Sequence, residues 1–196
     1  MLYISGVRNK DKIPRMITPR IGGRPAEGEI WAADNGRYSD RINYKGDEFY
    51  LGWLSRMPVE TCLFATAPDT FSDAITTLRE SIPLLPRIRA LGYKAALVAQ
   101  PTMTIEMTPW DDFDVLFIGG PDEWQFSERL TLLVKEAIRR GKKVHMGRVN
   151  SLRRMRYAAS LGCESVDGTI LKYNPSTDIL GWLATVNEEL TTHPHL

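Results

Sequence analysis

Short apolar runs recur eight times along the chain, at residues 2–5, 15–18, 30–33, 61–67, 94–99, 114–118, 143–146 and 164–166. Each run ends in small or polar residues. Their apolar character is continuous rather than alternating, the pattern of strands covered on both faces and therefore of a parallel sheet. Helix-like segments lie between the later runs, at 40–56, 71–91, 123–140, 151–161 and 176–190. Within 123–140, Leu130, Leu133, Val134, Ala137 and Ile138 recur at helical spacing, and Gly141 is a stop signal. Pro83 and Pro86 divide 71–91 into two helices. Strands alternating with helices predict an α/β fold, a compact (β/α)8 barrel of the TIM type. Its first two connections are too short for full helices, so the barrel is expected to be trimmed there. A doubly wound open sheet is the alternative. Neither an internal repeat nor a linker interrupts the pattern, and Gly22-Gly23-Arg24-Pro25 reads as a loop. One barrel domain is expected over 1–196.

Composition narrows the class further. With 43% hydrophobic, 25% charged and 9% aromatic residues, a disordered chain, a collagen and a coiled coil are excluded. A chain of 196 residues can bury roughly 70% of its unfolded surface without staples. Cys62 and Cys163 form neither a metal-type spacing nor a disulfide framework, which fits a reducing compartment. No apolar run approaches the ~20 residues of a membrane span, and the opening Met-Leu-Tyr-Ile-Ser-Gly lacks the basic-then-apolar order of a signal peptide. A soluble, cytoplasmic protein without a membrane partner is expected.

The formal net charge of +1 conceals an asymmetry. Residues 1–24 carry six basic side chains against one acid, and residues 139–156 carry eight basic side chains and no acid. A solvated helix face mixes signs, so such a block favours a polyanion-facing surface over an ordinary exposed one. Arg148, Asn150, Arg153 and Arg154 are its candidate nucleic-acid contacts, with Arg20 and Arg24 as a second set.

Barrel chemistry sits where strands end. Those ends read Asp34, Asp69, Gln100, Gly119-Gly120, Met146-Gly147-Arg148 and Asp167-Gly168. Each alone has a structural explanation: Asp34-Asn35-Gly36 and Asp167-Gly168 are turn signals, and Asp69 could be an N-cap. Their joint placement at one end of several strands argues for a site. Trp124 and His145 read as packing and strand residues, and His193 and His195 as an exposed tail.

In order and local context these residues resemble the tRNA-guanine transglycosylase superfamily, most of all the compact phage-type 7-deazaguanine DNA transglycosylases. The family's Asp-Ser-Gly-Gly-aromatic motif is matched by Asp34-Asn35-Gly36-Arg37-Tyr38. Its second strand-end Asp is matched by Asp69, its Val-Gln-Gly by Val98-Ala99-Gln100, and its Gly-Gly loop by Gly119-Gly120. Its Leu-Met-Gly corresponds to His145-Met146-Gly147, and its nucleophilic Asp to Asp167. The likeness spans 30–170. The family's tRNA enzymes carry a Cys-x-Cys-x-x-Cys plus His zinc site, which this chain lacks, so no metal and no cofactor is expected.

The resemblance implies a glycosyltransferase that replaces guanine in DNA by a 7-deazaguanine such as the 7-cyano compound, through a covalent aspartyl-glycosyl intermediate. Asp167 would be the nucleophile and Asp34 the general acid/base. Asp69 would accept from the guanine ring NH and amine. Gln100 and the Gly120 N–H would donate to its carbonyl, with Gly119 beside them, and Tyr38 and Met146 would sandwich the ring. The partners implied are DNA, its target nucleotide unpaired or flipped out, and the free deazaguanine base. The alternatives are an RNA-acting or tRNA-guanine transglycosylase and a non-catalytic nucleic-acid-binding barrel.

Overall fold

Along every strand, alternate residues face opposite sides, and that parity organises the molecule. The structure, a computed structural model, describes residues 1–9, 11–19, 23–38 and 44–192. Arg20, His193 and His195 lie outside the described residues. The strands are β1 (Leu2–Ser5), β2 (Arg15–Ile17), β3 (Trp31–Ala33), β4 (Cys62–Thr66), β5 (Ala95–Ala99), β6 (Val115–Ile118), β7 (Lys143–Met146) and β8 (Ser165–Gly168). Each pairs in parallel with the next, and β1 pairs with β8, with Ile4 opposite Asp167. The ring is closed, which excludes the open sheet and establishes the TIM-type (β/α)8 barrel.

The helices are α1 (Asp47–Leu54), α2 (Ala74–Ser81), α3 (Leu85–Ala90), α4 (Asp122–Gln125), α5 (Glu128–Arg139), α6 (Leu152–Ser160), α7 (Ile170–Tyr173) and α8 (Ile179–Thr192). Among the described residues no α-helix follows β1 or β2, the trimming expected from those short connections. Pro86 sits in the first turn of α3, where its missing N–H costs nothing. The single helix expected over 123–140 is instead two. α4 stops at Gln125 with Phe126 as its C-cap, and Ser127 caps α5 by accepting from the Leu130 N–H at 3.2 Å. The turn of helix α7 was not foreseen.

Two apolar layers result. Ile4, Ala32, Phe64, Ala96 and Val115 point inward and fill the barrel, joined by Met16 and Phe117. Residues of opposite parity, such as Trp31, Leu97, Leu116 and Val144, pack between the barrel and its helices. Trp31 is wholly buried, donates its ring N–H to the Pro58 carbonyl at 3.1 Å, and meets Trp53 and Tyr93 edge-on. Burying a side chain of this kind contributes about 1.5–3 kcal/mol. No helix among the described residues is long and apolar enough to cross a membrane.

Candidate active site

The inward parity carries past the carboxyl ends of the strands. Asp34 lies two residues after the inward Ala32, Gln100 two after Val98, and Asp167 two after Ser165. The three side chains therefore emerge at one mouth. There they line a cavity of about 160 Å³ together with Asp69, Thr66, Tyr38, Phe71, Met16, Phe117, Gly119, Gly120, Gln125 and Arg148. An apolar cavity of ~150 Å³ accepts an aromatic ring, so this space is on the scale of one base.

Asp34 is set by the turn that follows β3. Asn35 is buried, and its amide donates to Thr66 Oγ1 at 3.3 Å and to the Ala67 carbonyl at 3.1 Å, while its Oδ1 accepts from the Arg37 N–H at 2.7 Å. This ties the turn to the end of β4. Asp34 Oδ1 accepts from the Gly36 N–H at 3.3 Å and from Thr66 Oγ1 at 3.5 Å. Burial pushes the Asp34 carboxyl up from its ordinary 3.8 to about 6; the Gly36 donor opposes the rise and the charge of Asp167 adds to it.

Asp69 is also pushed up to about 6, by burial first and by the Asp34 charge second, with the Gln100 amide opposing. Gln100 donates to Asp69 Oδ2 at 2.7 Å and accepts from the Ser72 N–H at 2.9 Å, which fixes which way its amide points. Gly119 makes room for it: a Cβ there would stand 2.9 Å from Gln100 Nε2 and 2.6 Å from Val98 Cγ1. Gly120 has φ +77°, and a Cβ would meet Trp124 at 2.7 Å.

Asp167 enters from β8. Its Oδ2 lies 3.0 Å from Nε2 of His145, whose Nδ1 lies 2.8 Å from Ser165 Oγ. Among the described residues Oδ1 has only a long contact from the Arg148 N–H, at 3.5 Å. Gly168 permits the close approach of three neighbours behind the carboxylate, since a Cβ there would be 2.4 Å from both the Val149 carbonyl and the Tyr3 hydroxyl and 2.6 Å from Asn150 Oδ1.

The structure therefore brings Asp34, Asp69, Gln100, Gly119, Gly120, Tyr38 and Asp167 to one cavity. Met146 is a correction. It is wholly buried with the opposite parity, among the residues packed between barrel and helices, so it cannot stack on a bound ring. Met16 and Phe117 occupy the wall instead. His145 is a strand residue as expected, but its inward parity places it against the Asp167 carboxylate. Nothing in its immediate sequence reveals that contact; the polar pair His145 and Ser165 inside otherwise apolar strands is the signal that could have.

The basic residues divide. Arg148 stands at the rim with φ +65°, donating to the Gly120 carbonyl at 2.9 Å and pairing with Asp122 at 3.3 Å. Arg153 is exposed on α6. Arg154 departs from expectation: its side chain is 13% exposed, paired with Asp122 at 3.0 Å, bonded to Gln125, and laid over the Phe126 ring at 5.1 Å. Asn150 is also engaged, its Oδ1 accepting from the Thr169 N–H at 2.7 Å and so joining the loops after β7 and β8. Arg24 is exposed far from the mouth. Its charge acts on Tyr93, at the amino end of β5, the opposite end of the barrel. Among the described residues no group of three or more His, Cys, Asp or Glu could hold a metal ion.

Fold and site together define a closed parallel barrel with three carboxylates, the Gln100 amide and a Gly-Gly loop collected at the carboxyl ends of its strands. No family model and no curated protein matches the chain. Among solved structures it is similar to the Bacillus subtilis YkuI protein, with an EAL domain, in complex with substrate c-di-GMP and calcium. The identity is 16% and the TM-score 0.49, over 84% of this chain and 44% of that one, so the chain spans less than half the length of that protein. The barrel assignment stands on the strand pairing.

Proposed function

We propose that the chain is a guanine transglycosylase that exchanges guanine in DNA for a 7-deazaguanine base. The observation that carries the reading is the pair Asp34 and Asp167 on one ring-sized cavity. Asp34 holds its proton to about pH 6, and Asp167 is engaged by an imidazole nitrogen. Retaining glycosyl transfer needs such a pair, one group for proton transfer and one for attack. In the first half-reaction Asp167 Oδ1 forms a bond to C1′ as the bond from C1′ to the guanine nitrogen breaks. The electron pair stays with the base and takes up the proton from Asp34. In the second half Asp34 removes a proton from the incoming base, whose nitrogen attacks C1′ and expels Asp167. No electrons are gained or lost overall. Asp69, Gln100 and the Gly120 N–H supply acceptors and donors for the edge of a guanine-like ring; an analogue of inverted pattern would leave buried groups unpaired at about 1–3 kcal/mol each.

The test is incubation of the protein with DNA, or with RNA in a second arm, and labelled guanine or deazaguanine. Incorporation into DNA and a denaturation-resistant protein–DNA adduct are expected, both lost in Asp167→Asn. Incorporation into RNA alone moves the substrate to RNA. Binding without exchange in either arm refutes the reading in favour of a binding barrel.

A further inference from the structure

Among the buried titratable side chains that the mechanism just proposed does not use, one touches the proposed nucleophile. His145 is wholly buried inside the barrel, between the rings of Phe64 and Phe117 at 4.9 and 4.5 Å between centroids. Its two nitrogens have different partners on the same neighbouring strand, Ser165 Oγ and Asp167 Oδ2. An ionised carboxylate only accepts, so the proton on the Asp167 side belongs to Nε2. The Ser165 hydroxyl can then donate to Nδ1, and a neutral imidazole satisfies both contacts. Such an arrangement orients a carboxylate as well as binding it, because the ring is clamped by two aromatic neighbours and cannot rotate without losing both bonds.

We propose that His145 is a positioning residue for Asp167, holding Oδ2 through its Nε2–H so that Oδ1 faces the anomeric carbon of the bound nucleotide. The inference rests on the transglycosylase reading and deepens it. Gly147 lets the backbone pass this oxygen without crowding it, since a Cβ there would stand 3.4 Å from Oδ2 and 3.0 Å from Phe117. The carboxylate is therefore gripped on one oxygen and open on the other.

Two polar substitutions separate positioning from packing. In His145→Gln the amide nitrogen reaches about as far as Nε2 and can still donate to Asp167. In His145→Asn the shorter amide reaches only the Ser165 side. The rate of adduct formation is measured in single turnover at saturating DNA, beside the thermal midpoint and DNA affinity of each variant. The Asn variant should lose roughly 10–100-fold in rate, as partners that orient a reacting group typically do, with DNA affinity unchanged. The Gln variant should retain most of the wild-type rate. Equal rates in both variants, or rates that follow only the thermal midpoints, would overturn the positioning role while leaving the transglycosylase reading intact. Wild-type protein that forms no adduct with DNA or RNA would overturn both.

Discussion

Replacing Asp34 by Asn should make the protein more stable as it makes it inactive, and the gain should depend on pH. The native carboxyl keeps its proton until about pH 6, whereas the ordinary value is 3.8. Between those values the folded state binds more protons than the unfolded chain, so raising the pH through this window destabilises the wild type. At about 1.4 kcal/mol per pH unit, the full window corresponds to about 3 kcal/mol. Asp34 is only half-buried, and solvent screening lowers the realised figure to about 1–3 kcal/mol. For a chain of this length that is a rise of about 2–10 °C in Tm. Asn keeps an oxygen to accept from the Gly36 N–H and Thr66, so the turn after β3 loses nothing. Thermal unfolding of both proteins should be followed from pH 4 to pH 8. The midpoints should nearly coincide at pH 4, separate through pH 5 and 6, and run parallel above, the variant higher. A gap of constant size, or a variant less stable than wild type at pH 8, would refute the account of Asp34 as a carboxyl held under strain by burial.

Other substitutions read different parts of the molecule. If Arg153 touches a phosphate, Arg153→Ala should flatten the log–log dependence of DNA affinity on salt by about 0.9 on duplex, or about 0.7 on single strands; an unchanged slope would show α6 to be a plain solvated face. Arg154→Ala should instead lower stability by about 1–3 kcal/mol, because it strips a partner from buried Gln125; a thermal scan showing no change would contradict the burial of its contacts. Gly168→Ala should cost about 1–3 kcal/mol by pressing a methyl against the Val149 carbonyl and Tyr3 hydroxyl, and should abolish adduct formation by shifting Asp167. Adduct formed at the wild-type rate would refute the tight fit behind the carboxylate.

The strands were legible because each is a short continuous apolar run, and the strand-end residues because a barrel orders its chemistry by position. What that continuity hides is parity. In Lys143-Val144-His145-Met146 both faces are buried, so nothing local distinguishes the residue facing the cavity from the one facing the helices. The family resemblance places Met146 in the site and nothing local opposes it, while His145 reads from the sequence only as a strand residue. Arg154 stood out as one of eight cations with no acid nearby in sequence. Its partners Asp122 and Gln125 arrive from α4, the short helix after β6, and only the folded ring brings them together. The helix break at Ser127 follows from a capping hydrogen bond, which a five-residue apolar periodicity over 123–140 overrides when read alone.

Pairing of the first strand with the last has a consequence for how the molecule comes into being. Asp167 sits in register with Ile4, so its place in the ring depends on a contact between its first and last strands, far apart in sequence. Contacts that distant form slowly, since the entropy of closing the loop is lost before the pairing rewards it. Asp34, by contrast, is positioned by β3, β4 and the turn between them, elements that leave the ribosome early. During synthesis Asp34 is thus set in place well before Asp167 is. A chain that stops short of β8 holds the Asp34 turn without its partner carboxylate, and Asp167 acquires its orientation only as the ring closes.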